Sequence, residues 1–159
     1  MIAIMDLLSA LDQTLLLHSA TSVLCGGIVG LERQLRGKAI GIRTSILICL
    51  GTQVFVGLGM AMSNDMADST RVLGQIVTGV GFLGAGVIMS KGGEVTGVTS
   101  ASVVWILAAI GSTIGAGRLL SAITLAVLTV AILIGARFLE SIFIRIAGGS
   151  DEPEEAPET

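Results

Sequence analysis

Residues 79–86 read GVGFLGAG, and Gly79, Gly81 and Gly84 reproduce the G-x-G-x-x-G spacing of dinucleotide-binding folds. The same spacing of small residues lets helix backbones approach one another inside a lipid bilayer. The flanks decide between the two. A dinucleotide site needs a buried strand before the glycines, a helix after them, and an acidic residue about 20 positions further on. Here the run RVLGQIVTGVGFLGAGVIMSK is itself of membrane-spanning length, and TGVTSASVVWILAAIGSTIGAG is another such run. The glycines therefore read as helix-packing residues, and no cofactor is expected.

Composition agrees. Of 159 residues, 52% are hydrophobic and only 13% charged, too few charges to cover a water-soluble domain. Those charges fall almost entirely between long apolar runs. The runs do not alternate in polarity, so a β-barrel is not indicated, and helices remain to satisfy the backbone in lipid. Five segments approach the roughly 20 residues needed to cross a bilayer: 13–31, 44–62, 72–90, 97–117 and 119–136. The expected fold class is all-α, a polytopic membrane bundle of about five transmembrane helices.

The N-terminal stretch MIAIMDLLSALD has no basic residue before its apolar part, so it does not read as a secretory signal and should be retained. Residues 1–12 are expected to form an interfacial helix, with a tilted extension of the first span as the alternative. Residues 13–147 form the transmembrane domain, with its last helix emerging into the interface and stopping near Gly148. Residues 148–159, GSDEPEEAPET from Gly149 onward, are acidic and expected to be a disordered, solvated tail.

Orientation follows the basic residues. The connection ERQLRGKAIGIR carries Arg33, Arg36, Lys38 and Arg43 and should face the cytoplasm. Alternation then places Lys91, Arg137 and Arg145 on the same side and leaves Arg71 and Arg118 outside, with the N-terminus outside and the C-terminus cytoplasmic. Cys25 and Cys49 lie within apolar runs and read as small buried hydrophobes.

At about 100° per residue, Gln75, Gly79, Gly86 and Ser90 gather on one side of the third helix, and Gly74, Thr78, Gly81, Gly84 and Ala85 on the other. Two smooth faces predict two close neighbours. Helix 3 is thus expected at the centre of the bundle, with Gln75 as its main buried polar side chain. A shift of 56 residues lays Gly30, Gly37, Gly41 and Gly59 on Gly86, Gly93, Gly97 and Gly115, which fits either a parallel repeat of two helix pairs or a coincidence of glycine-rich segments.

Taken together, GLERQLRGKAIGIRTSILICLGT, RVLGQIVTGVGFLGAGVIM and GVTSASVVWILAAIGSTIGAG resemble the membrane domain of the MgtC/SapB family over roughly residues 22–140. The resemblance implies a bacterial inner-membrane protein tied to growth under magnesium limitation, to stress adaptation and, in some pathogens, to virulence through survival in macrophages. It implies no catalytic activity and a regulatory role. By motif it singles out Glu32, Arg33, Gly41, Arg43 and Thr44 as a functional rim. It marks Arg71, Gln75, Gly79, Gly81, Phe82, Gly84, Ala85, Gly86, Gly97, Thr99 and Trp105 as packing or buried polar positions. Two positions depart from the family pattern: Ser45 stands where a His or Asn is frequent, and Thr96 where a basic residue is. Many relatives continue into a soluble cytoplasmic domain, whereas this chain runs into the acidic tail, so sensing through such a domain is not expected in this polypeptide.

Glu32 and Arg43 flank the first connection and can either pair or reach the headgroups separately. Arg43 and Thr44 can also receive an anionic headgroup at a helix N-terminus. His18, the one histidine, reads as structural in preference to a proton relay. No Ser/His/Asp set, paired intramembrane carboxylates or Cys/His metal spacing is present, so catalytic, cofactor and metal residues are none. The expected function is regulation of a membrane partner, with small-ion transport (magnesium or protons) through Gln75, Thr78, Thr52 and Gln53 as the alternative. Expected contacts are the lipid bilayer, a membrane protein partner and a further copy of the chain, and no nucleic acid.

Overall fold

The computed structural model describes the backbone of residues 2–62, 66–91 and 94–147, and the side chains of 13–62, 70–89 and 95–142. Among the described residues five helices are present: α1 (Ile2–Leu35), α2 (Ile42–Met62), α3 (Met66–Ala85), α4 (Val98–Gly115) and α5 (Leu119–Ala147). A short antiparallel hairpin, β1 (Met89–Lys91) with β2 (Glu94–Thr96), joins α3 to α4 in the register Ser90 opposite Val95. Within these helices, Gln13–Leu35, Ile42–Met62, Val98–Gly115 and Leu119–Ile142 are long and apolar enough to cross a membrane. Large apolar side chains such as Leu16, Leu47, Leu120 and Phe138 point outward from them, as a lipid solvent requires.

Glycine sets the helix directions. On α1, a Cβ at Gly26 would lie 2.8 Å from Ile46 Cα, and one at Gly30 2.6 Å from Ile42 Cα, so α1 and α2 run antiparallel in backbone contact. On α4, a Cβ at Gly111 would strike Thr52 Oγ1 and Cys49 O, and one at Gly115 would lie 2.6 Å from Gln53 O. The Cys49 thiol donates to Leu107 O at 3.3 Å. Contacts rise together in number along both chains, so α2 and α4 run parallel. The chain must therefore return across the bundle between them, and α3 does this. Its start meets α2 where a Cβ at Gly59 would lie 2.9 Å from Val72, and its end meets α4 at Gly84 and Ala101. Its 20 residues cover about 30 Å, enough to traverse the bilayer.

The core lies among α1, α2 and α4, where Cys25, Val29, Cys49, Val104, Leu107, Ile110 and Ile114 are fully buried. From the far side α5 packs on α1 and α4 through Ala122 and Ala126. Placing helix 3 at the centre is thus corrected: α2 and α4 hold that position, and on α3 only Val80 and Gly84 are buried among the described side chains. The third segment is also shifted. It ends at Ala85 instead of Ser90, because the chain turns at Gly86 and Val87 and then pairs Met89, Ser90 and Lys91 with Thr96, Val95 and Glu94 across the hairpin. Residues 2–12 continue α1 without a break, in place of a separate helix ending at residue 12. α5 runs to Ala147, the last described residue; the expected stop near Gly148 and the acidic tail at 148–159 lie outside the described residues. α2 and α4 start 56 residues apart, at Ile42 and Val98, and run the same way, as a parallel repeat would have it.

Candidate functional site

The connection between α1 and α2 builds the most polar part of the core. Gly37 closes α1 at φ 61, a conformation that suits a residue without a Cβ. Its N–H donates to Gln34 O at 3.0 Å and that of Lys38 to Arg33 O at 3.0 Å, the paired bonds of a Schellman end. Gln34 then reaches across the turn, its Oε1 accepting from Ile42 N at 3.2 Å and so capping α2. Gly41 is kept small by this cap, since a Cβ there would lie 3.0 Å from Gln34 Oε1. Ser45 is buried one turn into α2 and donates to Gly41 O at 2.9 Å.

This turn lets the last residues of α1 point into the bundle. Glu32 is 8% exposed and Arg33 3%. Arg33 Nη2 donates to Ser100 Oγ at 2.9 Å, tying the end of α1 to the first turn of α4 across 67 residues of sequence. The Glu32 carboxylate forms a close ion pair with Arg36 Nε one turn on, and Arg33 Nη1 stands 3.9 Å away. Two guanidinium groups thus share one carboxylate at the edge of the apolar core, the depth at which burying charge costs least.

Of the expected rim, then, Glu32, Arg33 and Gly41 come together, while Arg43 and Thr44 do not join them. Of the two readings open for Glu32 and Arg43, the structure shows no pair: Glu32 is taken by Arg36 and Arg33. Arg43 is exposed and makes no ion pair or side-chain hydrogen bond among the described residues. Thr44 is exposed and lines a groove between α2 and α3, near the start of α2. His18 is half-buried higher on α1, away from the cluster. Ser100 and Arg36 were not singled out by sequence. Arg36 stands four residues after Glu32, a readable pairing distance; nothing in the sequence relates Ser100 to Arg33.

The second set of expected residues lies on two flanks of α3. Arg71, Gln75 and Gly79 line a cavity of about 1000 Å³ against α2, with Thr52 and Phe55 opposite. Gly81, Gly84 and Ala85 line a second one of about 600 Å³ against α4, with Trp105 opposite. Gln75, expected to be buried, is exposed, and no atom of the chain comes within 4 Å of a Cβ built at Gly79 or Gly81. Gly84 alone of these glycines is buried by a neighbour. Phe82 is 81% exposed, and Ala85, Gly86 and Thr99 are exposed as well. Gly97 precedes α4 as its N-cap at φ 90, and a Cβ there would strike Val87 O, so both its backbone conformation and a close backbone approach require glycine.

Chemically the arrangement offers a locked ion cluster, an exposed cation beside it and a partly open helix. Among the described residues no group of three His, Cys, Asp or Glu side chains is placed to hold a metal ion. No solved structure shows a significant match to the chain. Among sequences, "Protein MgtC" of Brucella abortus is 41% identical over 113 residues, 71% of this chain and 47% of that protein. The Escherichia coli K12 protein named "Putative magnesium transporter YhiD" is 43% identical over 103 residues, 60% of this chain and 47% of its own length. "Protein MgtC" of Salmonella typhimurium is 40% identical over 108 residues, 68% of this chain and 46% of that protein. The chain spans about half the length of these relatives. The sequence profile of the MgtC family matches residues 20–142, and with these relatives it establishes that the chain belongs to the MgtC family.

Proposed function

We propose that the chain is a non-enzymatic protein of the bacterial inner membrane that modulates a membrane partner during magnesium limitation or intracellular stress, with its N-terminus outside and its C-terminus in the cytoplasm. One observation carries the choice of modulation over transport: of the four polar side chains available to an ion path, only Thr52 and Gln75 share a groove. Thr52 and Gln75 line the groove between α2 and α3, Gln53 is buried, and Thr78 is exposed and does not line that groove. Thr52 and Thr78 donate to carbonyls of their own helices, Ile48 O at 2.8 Å and Gly74 O at 3.0 Å. Glu32, the one carboxylate of α1, α2 and α4 between residues 13 and 115, is already paired with Arg36. A divalent cation leaving water needs several oxygen ligands together.

Beside the locked cluster stands Arg43, exposed on the side to which the basic residues assign the cytoplasm. An exposed cation on a rigid rim suits recognition of a partner's charge. In a strain lacking the protein, Arg43→Ala is expected to abolish rescue of growth at low magnesium while the variant accumulates in the membrane and unfolds at the wild-type temperature. Full rescue by Arg43→Ala overturns the role of the rim. Small-ion transport is the second reading, favoured by the name of the Escherichia coli relative, "Putative magnesium transporter YhiD".

A further inference from the structure

α3 combines two properties that conflict in a lone chain. It must traverse the bilayer, because α2 and α4 run parallel and α3 returns between them, yet its faces are largely uncovered. Gln75 is the tenth of its 20 residues and therefore sits near mid-depth. Its side chain is exposed in the groove against α2 and makes no hydrogen bond among the described residues. At that depth neither water nor an acyl chain can satisfy an amide.

From this we infer that the groove between α2 and α3 is the interface of a homodimer, in which α3 of each copy seats in the groove of the other and the two Gln75 amides bond to each other. Lipid is a poor occupant, since its tails offer no donor or acceptor. A second copy meets the requirement without further chemistry. A primary amide carries both a carbonyl acceptor and N–H donors, so it is its own complement. A two-fold axis along the membrane normal keeps both copies in the same orientation and sets every residue at the depth of its mate, so Gln75 faces Gln75.

The groove has the shape for it. Gly79 follows Gln75 by one turn on the same face, Gly51 lies on the α2 wall, and no atom of the chain lies within 4 Å of a Cβ at either. A backbone can therefore come close on both walls, as small-residue contacts between membrane helices do. α2 and α3 meet at Gly59 and Val72 near the outer ends, while inward α3 turns to α4 at Gly84. The groove is thus a wedge open toward the inner side. Arg71, one turn outward of Gln75, is close enough to the helix start for its long side chain to reach the headgroups, which keeps the two guanidinium groups of a dimer in water.

Disulfide cross-linking in native membranes tests this. Cys25 and Cys49 are fully buried, and Gly79 has room for a new side chain, so Gly79→Cys places one reactive thiol in the groove without repacking the fold. Mild oxidation is expected to convert most of Gly79→Cys into a species of twice the mass, while Ile132→Cys, on the exposed face of α5, stays monomeric. Adding Gln75→Leu to Gly79→Cys should lower the cross-linked fraction about tenfold, and adding Gln75→Asn should restore part of it. Equal cross-linking at Gly79→Cys and Ile132→Cys, or a dimer indifferent to Gln75→Leu, overturns the interface. An adduct of Gly79→Cys with a different protein overturns the second copy as its occupant.

Discussion

The α1–α2–α4 core and the α3 edge are both rich in glycine, and they use it in opposite ways. In the core Gly26, Gly30, Gly111 and Gly115 are sites where a Cβ would collide with a neighbouring backbone or its attached atoms. On α3, Gly74, Gly79 and Gly81 face open space. The first set has been used up in building the bundle. The second is a surface of the same kind, still uncovered in the single chain. Stability should therefore be concentrated in the core glycines and in the ion cluster at the end of α1, and association should belong to α3.

Substitutions can break this division. The largest effect is expected at Gly111→Leu, where the added side chain meets Thr52 and the Cys49 carbonyl with no flexible group to move aside. Overpacking there should cost more than about 3 kcal/mol and remove folded protein from the membrane fraction. A well-folded Gly111→Leu contradicts the backbone contact between α2 and α4.

Next comes Arg33→Met, which strips Ser100 of its donor and leaves Glu32 with Arg36 alone. Breaking one side of a buried ion cluster should cost about 3 kcal/mol in thermal or denaturant unfolding. The double variant Glu32→Gln/Arg33→Met should lose less than the sum of the two single losses, because either single change already breaks the contact between Glu32 and Arg33. Purely additive losses would show that Glu32 and Arg33 do not act together.

The smallest effect is expected at Gly81→Ala. A methyl group fits there without contact and favours the helix, so stability should change by less than about 0.5 kcal/mol or rise slightly. A loss near that of Gly111→Leu would mean that α3 is packed on both sides within one chain.

Much of this bundle is legible in its sequence. Charges bound the apolar runs of α1, α2, α4 and α5, and periodic length follows from bilayer thickness. What sequence cannot register is which glycine has a neighbour. Gly26 with Gly30 and Gly111 with Gly115 are four residues apart, and so are Gly81 and Ala85, yet the first two pairs meet a neighbouring backbone and Gly81 meets none. Two smooth faces on helix 3 predict a central position, and the structure assigns that place to α2 and α4. The hairpin after α3 carried a signal that was overrun by hydrophobicity: Met89–Lys91 and Glu94–Thr96 are separated by two glycines, a favoured hairpin connection.

The candidate site divides the same way. Glu32 and Arg36 stand at helical pairing distance, so their contact was readable, but the turn between α1 and α2 made Arg43 look equally available. That turn is held by Gln34, which caps α2 and leaves Arg43 outside. The bond from Arg33 to Ser100 joins positions 67 residues apart and depends on α2 and α4 starting at the same level. No local pattern encodes it.

Modulation of a partner, not conduction, is the central claim, and flux decides it most directly. Purified full-length chain reconstituted into liposomes, with an internal magnesium-sensitive dye and an imposed magnesium gradient, is expected to admit magnesium no faster than protein-free vesicles. Saturable, protein-dependent magnesium entry would contradict the claim and make the chain a transporter.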